Sequence, residues 1–353
     1  QINLSSLTQG TADYRGEVKI DGVRPFAIDG QVQAISTVDN HEYQLDLSAK
    51  GDFKRLNLTV NASGGVPEQP LSGKGDLQIQ LLDQYYSHKG QVNLAHLNPY
   101  VFWNKLLKAD LDVTLNATPQ AVDAADKNER QPVNGDWLVI NHAPAPLSDF
   151  ALPVQQVSGR FALTSQKQDL NDIKIIVSNN GLIQGNGVWQ DGKGGFKFDI
   201  KGFDLKNVHP KLLGTQLGGV LDIHATKGEQ HFVASLKNAG SNRLELFADV
   251  LVDHERVTIT QAKIAGVGDA AIEAQGELAY TEGLPFKGKA QLLQFNLADL
   301  GDFPSSRLVG QFDVEGLSLP AAQVNIKGDL NDSNWAGVPA KGVVDVSFAA
   351  PDK

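Results

Sequence analysis

Hydrophobic and polar residues alternate along most of this chain with a period of two, the pattern of β-strands that bury one face. Leu77, Ile79 and Leu81 alternate with Asp76, Gln78 and Gln80, and Leu111, Val113 and Leu115 with Asp110, Asp112 and Thr114. Phe196, Phe198 and Ile200 alternate with Lys197, Asp199 and Lys201. The same pattern holds at Leu45 and Leu47, at Leu56, Leu58 and Val60, at Phe161 and Leu163, and at Leu244 and Leu246. It returns at Val257 and Ile259, at Val324 and Ile326, and at Val344, Val346 and Phe348. Each strand so read has one dry and one wet face, unlike the doubly apolar strands of a parallel sheet, so doubly wound α/β folds are excluded.

Between the strands lie short turns suited to positive φ, such as Ser63-Gly64-Gly65, Asn179-Asn180-Gly181, Asp191 to Gly195 and Lys227-Gly228-Glu229. Gly185-Asn186-Gly187 reads as a turn in the same way. Turns this short make neighbouring strands antiparallel. One short helix is expected after Asn98, a good N-cap, with Pro99 at the first position and Tyr100, Trp103 and Leu107 on one face. It reads as a lid packed on the sheet, with an amphipathic element touching a membrane as the alternative.

A repeat runs through the chain: Asn or Asp, Leu, two residues, an aliphatic, a turn, then a Gly- or Ala-led strand. Its copies begin near residues 3, 93, 204 and 296, and lead to strands carrying Val18 and Ile20, Leu111 and Val113, Leu221 and Ile223, and Phe312 and Val314. Polar residues 120–133 read as an inserted surface loop that lengthens one interval. The expected organisation is one continuous repetitive body over residues 1–353, with roughly 30 strands at the usual spacing. The fold class that follows is all-β: an elongated, twisted sheet curled into a taco-like or solenoid-like trough with an apolar groove and few short helices.

Composition narrows the chemistry. Lys and Arg number 31 against 41 Asp and Glu, a net charge of −10 that argues against nucleic acid as a partner. There is no cysteine, which removes thiol chemistry and disulfides, and no methionine even at position 1. The chain therefore reads as a piece of something longer, with any signal peptide or anchor outside it. No apolar run reaches the length of a membrane span. The eight histidines, at 41, 88, 96, 142, 209, 224, 231 and 254, show no metal-site spacing and read as solvated or loop residues, with His224 on the wet side. Asp112, Asp222 and Asp313 recur in register on the wet face, as solvating groups do and a catalytic pair does not. No cofactor, metal or catalytic residue is expected.

The unit of Asn-Leu-x-x-Leu, turn and Gly-x-aliphatic-Asp-aliphatic, with the closing run Gln323 to Leu330, Trp335 to Pro339 and Gly342 to Val346, resembles the middle region of the TamB branch of the AsmA-like family. The resemblance covers essentially the whole chain. It implies a β-taco in the periplasm of a Gram-negative bacterium, part of a protein anchored in the inner membrane, passing phospholipid toward the outer membrane. It also implies a TamA-type outer-membrane barrel partner and a link to outer-membrane protein assembly. The family's anchor and barrel-associated segment are not in this sequence, so contact with the barrel would run through regions outside it.

The groove residues expected on this reading are Val18, Ile20, Leu77, Ile79, Leu81, Leu111, Val113, Leu115, Phe161, Leu163, Phe196, Phe198, Ile200, Leu221, Ile223, Leu244, Leu246, Val257, Ile259, Phe312, Val314, Val324, Ile326, Val344 and Val346. Shielding one acyl chain of about 16 carbons from water is worth roughly 12 kcal/mol. Two rival readings are a scaffold that holds unfolded outer-membrane proteins by β-augmentation and a glycan-handling solenoid, which would need outward aromatic ladders or a lone carboxylate pair.

Overall fold

The computed structural model describes residues 2–9, 12–80, 86–103, 106–120, 132–164, 166–240, 243–281, 283–318 and 322–349. Where the repeat suggested one body, the chain divides into two compact units, Gln1–Ser178 and Asn179–Lys353. The first contains β1 (Ile2–Gln9), β2 (Ala12–Ile20), β3 (Ala27–Val38), β4 (His41–Asp52), β5 (Arg55–Gly64), β6 (Leu71–Gln80), β7 (Tyr86–Leu97), β8 (Leu111–Pro119), β9 (Val133–Asn141), β10 (Val154–Leu163) and β11 (Lys167–Val177). The second contains β12 (Gly181–Gln190), β13 (Lys193–Phe203), β14 (Leu217–Thr226), β15 (Glu229–Asn238), β16 (Glu245–Asp253), β17 (Arg256–Ala265), β18 (Ala271–Ala279), β19 (Pro285–Phe295), β20 (Ser306–Leu317), β21 (Gln323–Trp335) and β22 (Val338–Ala349).

Within each unit every strand pairs antiparallel with the strand before and after it. Among the described residues no ladder joins β1 to β11 or β12 to β22, so neither unit closes into a barrel. The alternation predicts this all-β, antiparallel architecture correctly.

The described strands number 22 and not about 30, because glycines that read as turns lie inside strands. Gly185 and Gly187 sit in the middle of β12, and Gly194 and Gly195 belong to β13. The turn between those strands is Asp191-Gly192 alone, both at positive φ (53° and 76°), as a tight right-twisted hairpin requires. The expected loop at 120–133 also shrinks at its end. Val133 opens β9, fully buried and opposite Pro119, and the Gln120 N–H donates to the Pro132 carbonyl. Residues 121–131 lie outside the described residues, as does Leu81.

The repeat has a structural basis, at a different register. The Phe203–Thr215 connection is held by Asp204, whose Oδ1 accepts from the N–H groups of Lys206 (3.0 Å) and Thr215 (3.0 Å). The Thr215 hydroxyl accepts from the Leu205 N–H and donates to the Phe203 carbonyl. Asn296 does the same with Ala298 and Ser306, and the Ser306 hydroxyl accepts from Leu297. Each clamp caps a single 3-10 turn, Leu205–Asn207 and Leu297–Asp299.

In the second copy the clamping residue is Asn98 and not Asn93: its Oδ1 accepts from Tyr100 and Ala109. Asn93 lies inside β7, and Asn3 inside β1. A positive-φ bulge stands two residues before each clamp, at His96, Gly202 and Gln294. It turns the strand end inward so that the Asx side chain reaches under the loop.

The expected helix starts as predicted but lasts one turn, α1 (Pro99–Phe102). Its buried face is therefore Val101 and Phe102, while Trp103 is exposed. These two pack with Ala12, Ala34, Ala62 and Leu71, and their carbonyls accept from the Ser36 and Tyr14 hydroxyls. Large side chains with almost no exposure cluster at strand ends: Leu71 opens β6 and packs with α1, Leu217 opens β14, Leu244 precedes β16 and Phe295 ends β19. The tight core is thus a rim, and the middle of the sheet face is packed less closely.

Candidate apolar face

Register puts the predicted groove residues on one side of each sheet. In the second unit Phe198, Leu221, Ala234, Ala248, Ala262, Ala274, Ala290, Phe312, Gly328 and Val344 are successive cross-strand neighbours. A parallel row runs from Phe196 and Ile223 through Val250 and Ile259 to Val314, Ile326 and Val346. Ile200 and Leu246 flank the first row; Val257 and Val324 share the face toward its other side. Leu244 immediately precedes β16 and is buried at the rim.

The first unit is built the same way. Val18, Leu58, Leu77, Ala117 and Phe161 lie in one row, with Ile20 and Ile79 outside it. Val113 follows Leu94 and precedes Val139, Leu115 lies opposite Trp137, Leu111 opposite Leu97 and Leu163 opposite Val133. Of the expected set, only Phe198, Ile200 and Leu244 are buried; Ile20, Ile259 and Val346 are exposed, and the other described members lie between.

The face keeps a thin profile by setting glycines beneath aromatics. A Cβ on Gly187 would overlap the Phe196 ring, one on Gly135 the Phe161 ring, and one on Gly159 the Trp137 indole. The rings lie down over the backbone of the neighbouring strand and do not stand up into the space above, an arrangement that covers strand glycines. Trp137 and Phe161 stack with centroids 6.2 Å apart. Sequence reasoning missed this, and it missed the five consecutive alanines of β15–β19. Alanine and glycine carry no alternation signal of their own, so only the ladder brings them together.

Opposite the apolar face lies a face of cross-strand ion pairs, including Lys263 with Glu273 (2.8 Å) and Lys237 with Glu245 (3.0 Å). The recurring carboxylates are here: Asp222 faces Lys197 and Asp313 faces Lys289, each at 3.8 Å. A hollow of about 610 Å³ on β17–β21 opens on this side, lined by Thr258, Lys287, Lys289, Glu315 and Lys327, with Ile259 and Val314 at its base.

His224 is exposed on this face, opposite His231. Three histidines are engaged and not simply solvated: His142 Nε2 lies 2.8 Å from Asp112, His96 Nδ1 2.9 Å from Asp110 and His231 Nε2 3.0 Å from Asp249. The hydrogen bond that the His142 ring donates to the Asp112 carboxylate raises the His142 pKa. Partial burial works to raise the Asp112 pKa, but the bonds from His142 and the His96 N–H outweigh it and leave it low. Among the described residues no three His, Asp or Glu side chains are grouped to hold a metal ion, and no helix is long and apolar enough to cross a membrane.

No family model matches the chain, and no curated protein matches its sequence.

Proposed function

We propose that this chain is a lipid-shielding module: acyl chains lie along the apolar face of each sheet while headgroups stay in water, as in the AsmA-like proteins of the TamB branch that the repeat resembles. The observation that carries the reading is a continuous apolar face in each unit whose central rows remain half-buried. On the first of these faces the one-turn helix α1 packs against β3 and its neighbours. An aliphatic surface of this extent that stays partly exposed favours association with apolar material. A phospholipid tail suits it because a flexible chain can follow rows of unequal height, over the alanines of β15–β19 and between the flattened rings. The ion-paired face and the charged hairpins between strands keep the other side wet.

The test is native mass spectrometry of the purified chain for copurified phospholipid, with Leu111→Arg and Leu221→Arg compared against Asp222→Arg on the opposite face. Lipid retained by the parent and by Asp222→Arg, and lost from both leucine variants with unchanged circular dichroism, supports the reading. Equal lipid in all four, or none in the parent, overturns it.

A further inference from the structure

The connections that follow β13 and β19 meet, although the strands they serve stand far apart in the ladder. Leu212 and Gly301 form an isolated antiparallel bridge. Beside it the Leu213 N–H donates to the Leu300 carbonyl at 2.7 Å, and the Asp302 N–H to the Lys211 carbonyl at 2.9 Å. Five ladder steps separate β14 from β19, about 24 Å at the usual strand spacing. The two arms therefore make a strap along one lip of the second unit, past the ends of β15 to β18.

Just inside that lip, on the apolar face, runs a row of half-buried aliphatics, Leu236, Leu246, Ile264, Ile272 and Leu292, one from each of β15 to β19. Leu212, Leu213 and Leu300 of the strap are half-buried as well. Each arm is pinned at its base by its own clamp, Asp204 with Thr215 and Asn296 with Ser306. The meeting point is thinner, since one bridge and two backbone hydrogen bonds join the arms there. It can part while both bases hold. Its closeness depends on Gly301, where a Cβ would overlap the Lys211 carbonyl oxygen and crowd the Leu212 Cα.

We propose that the joint between Lys211–Leu213 and Leu300–Asp302 is a latch on the apolar face of the second unit. Closed, it covers the lip; parted, it lets a phospholipid tail pass over the lip onto the aliphatic row. The inference rests on the lipid-shielding reading above and adds the point of entry.

The chain has no cysteine, so a Lys211→Cys, Asp302→Cys pair can be oxidised without competing thiols. Both positions are exposed and directly opposed across the joint, and opposed residues have Cα atoms about 4.5–5.5 Å apart, within disulfide reach. Uptake of pyrene-labelled phosphatidylcholine from phosphatidylcholine vesicles should slow at least about fivefold in the oxidised pair and recover on reduction. Lys211→Cys alone should behave as the parent, and Gly301→Val, with both clamps intact, should speed uptake. In the unmodified chain the Leu213 and Asp302 amides should exchange hydrogen at least about tenfold faster than the clamped amides of Thr215 and Ser306. Equal protection at the four amides, or lipid uptake at one rate in the oxidised and reduced pair, would overturn the latch and leave the lipid-shielding reading standing. A parent chain that takes up no lipid would overturn that reading, and the latch with it.

Discussion

The Asx clamp gives the sharpest stability prediction. Asp204 is nearly buried and its Oδ1 accepts two backbone N–H groups, those of Lys206 and Thr215, both at 3.0 Å. Asp204→Ala removes an N-cap, which costs about 0.5–2 kcal/mol. It also strands the buried Thr215 N–H, a further 1–3 kcal/mol or so. The expected loss is therefore about 1.5–5 kcal/mol. Asp204→Asn keeps the accepting oxygen and should lose under about 1 kcal/mol, because Asn98 and Asn296 hold the equivalent positions as amides. Urea unfolding of the three chains gives the difference, and amide hydrogen exchange at Thr215 locates it. If Asn proves as damaging as Ala, the charge and not the acceptor geometry holds the loop, and the argument fails. An alanine variant within about 0.5 kcal/mol of the parent would sink it as well.

Gly187→Ala should destabilise the second unit by about 1–3 kcal/mol, since its Cβ meets the Phe196 ring. In a Phe196→Leu background the penalty should fall by more than half, and additive urea ΔΔG values would contradict the ring-over-glycine account. The His142–Asp112 pair should stabilise the ends of β8 and β9 within a pH window. The raised His142 pKa contributes fully below its ordinary 6.5 and is lost as pH climbs through the folded value. The lowered Asp112 pKa contributes above its ordinary 3.8 and is lost as pH falls through the folded value. Both groups are more than a third exposed, so the gain near pH 5 over pH 8 should be under about 0.5 kcal/mol after solvent screening. It should vanish in His142→Ala; an unchanged pH profile would remove the pair from the account. Asn98→Ala should loosen α1 and raise the exposure of Trp103 and the Val101–Phe102 contact, read as increased acrylamide quenching and faster exchange at Val101, with no change expected at Trp335.

What the sequence determined by itself is the strand and its sidedness. A strand's period of two is local, so Phe196, Phe198 and Ile200 declare a common face without any knowledge of their neighbours, and the ladders place them there. The Asn98 cap was legible for the same reason, since its partner Tyr100 stands two residues away. The register of the repeat was not, because a clamp joins Asp204 to Thr215 eleven residues away, beyond any local pattern, and Asn93 imitates the motif inside a strand. The glycines of β12 read as turn residues until Phe196 and Phe198 were seen lying over them from the next strand. The division at Ser178, the buried rim and the half-open centre likewise belong to the tertiary structure. Each depends on which residue stands across a ladder, and that is set by bulges and loop lengths summed over the intervening chain, which no window of local alternation contains.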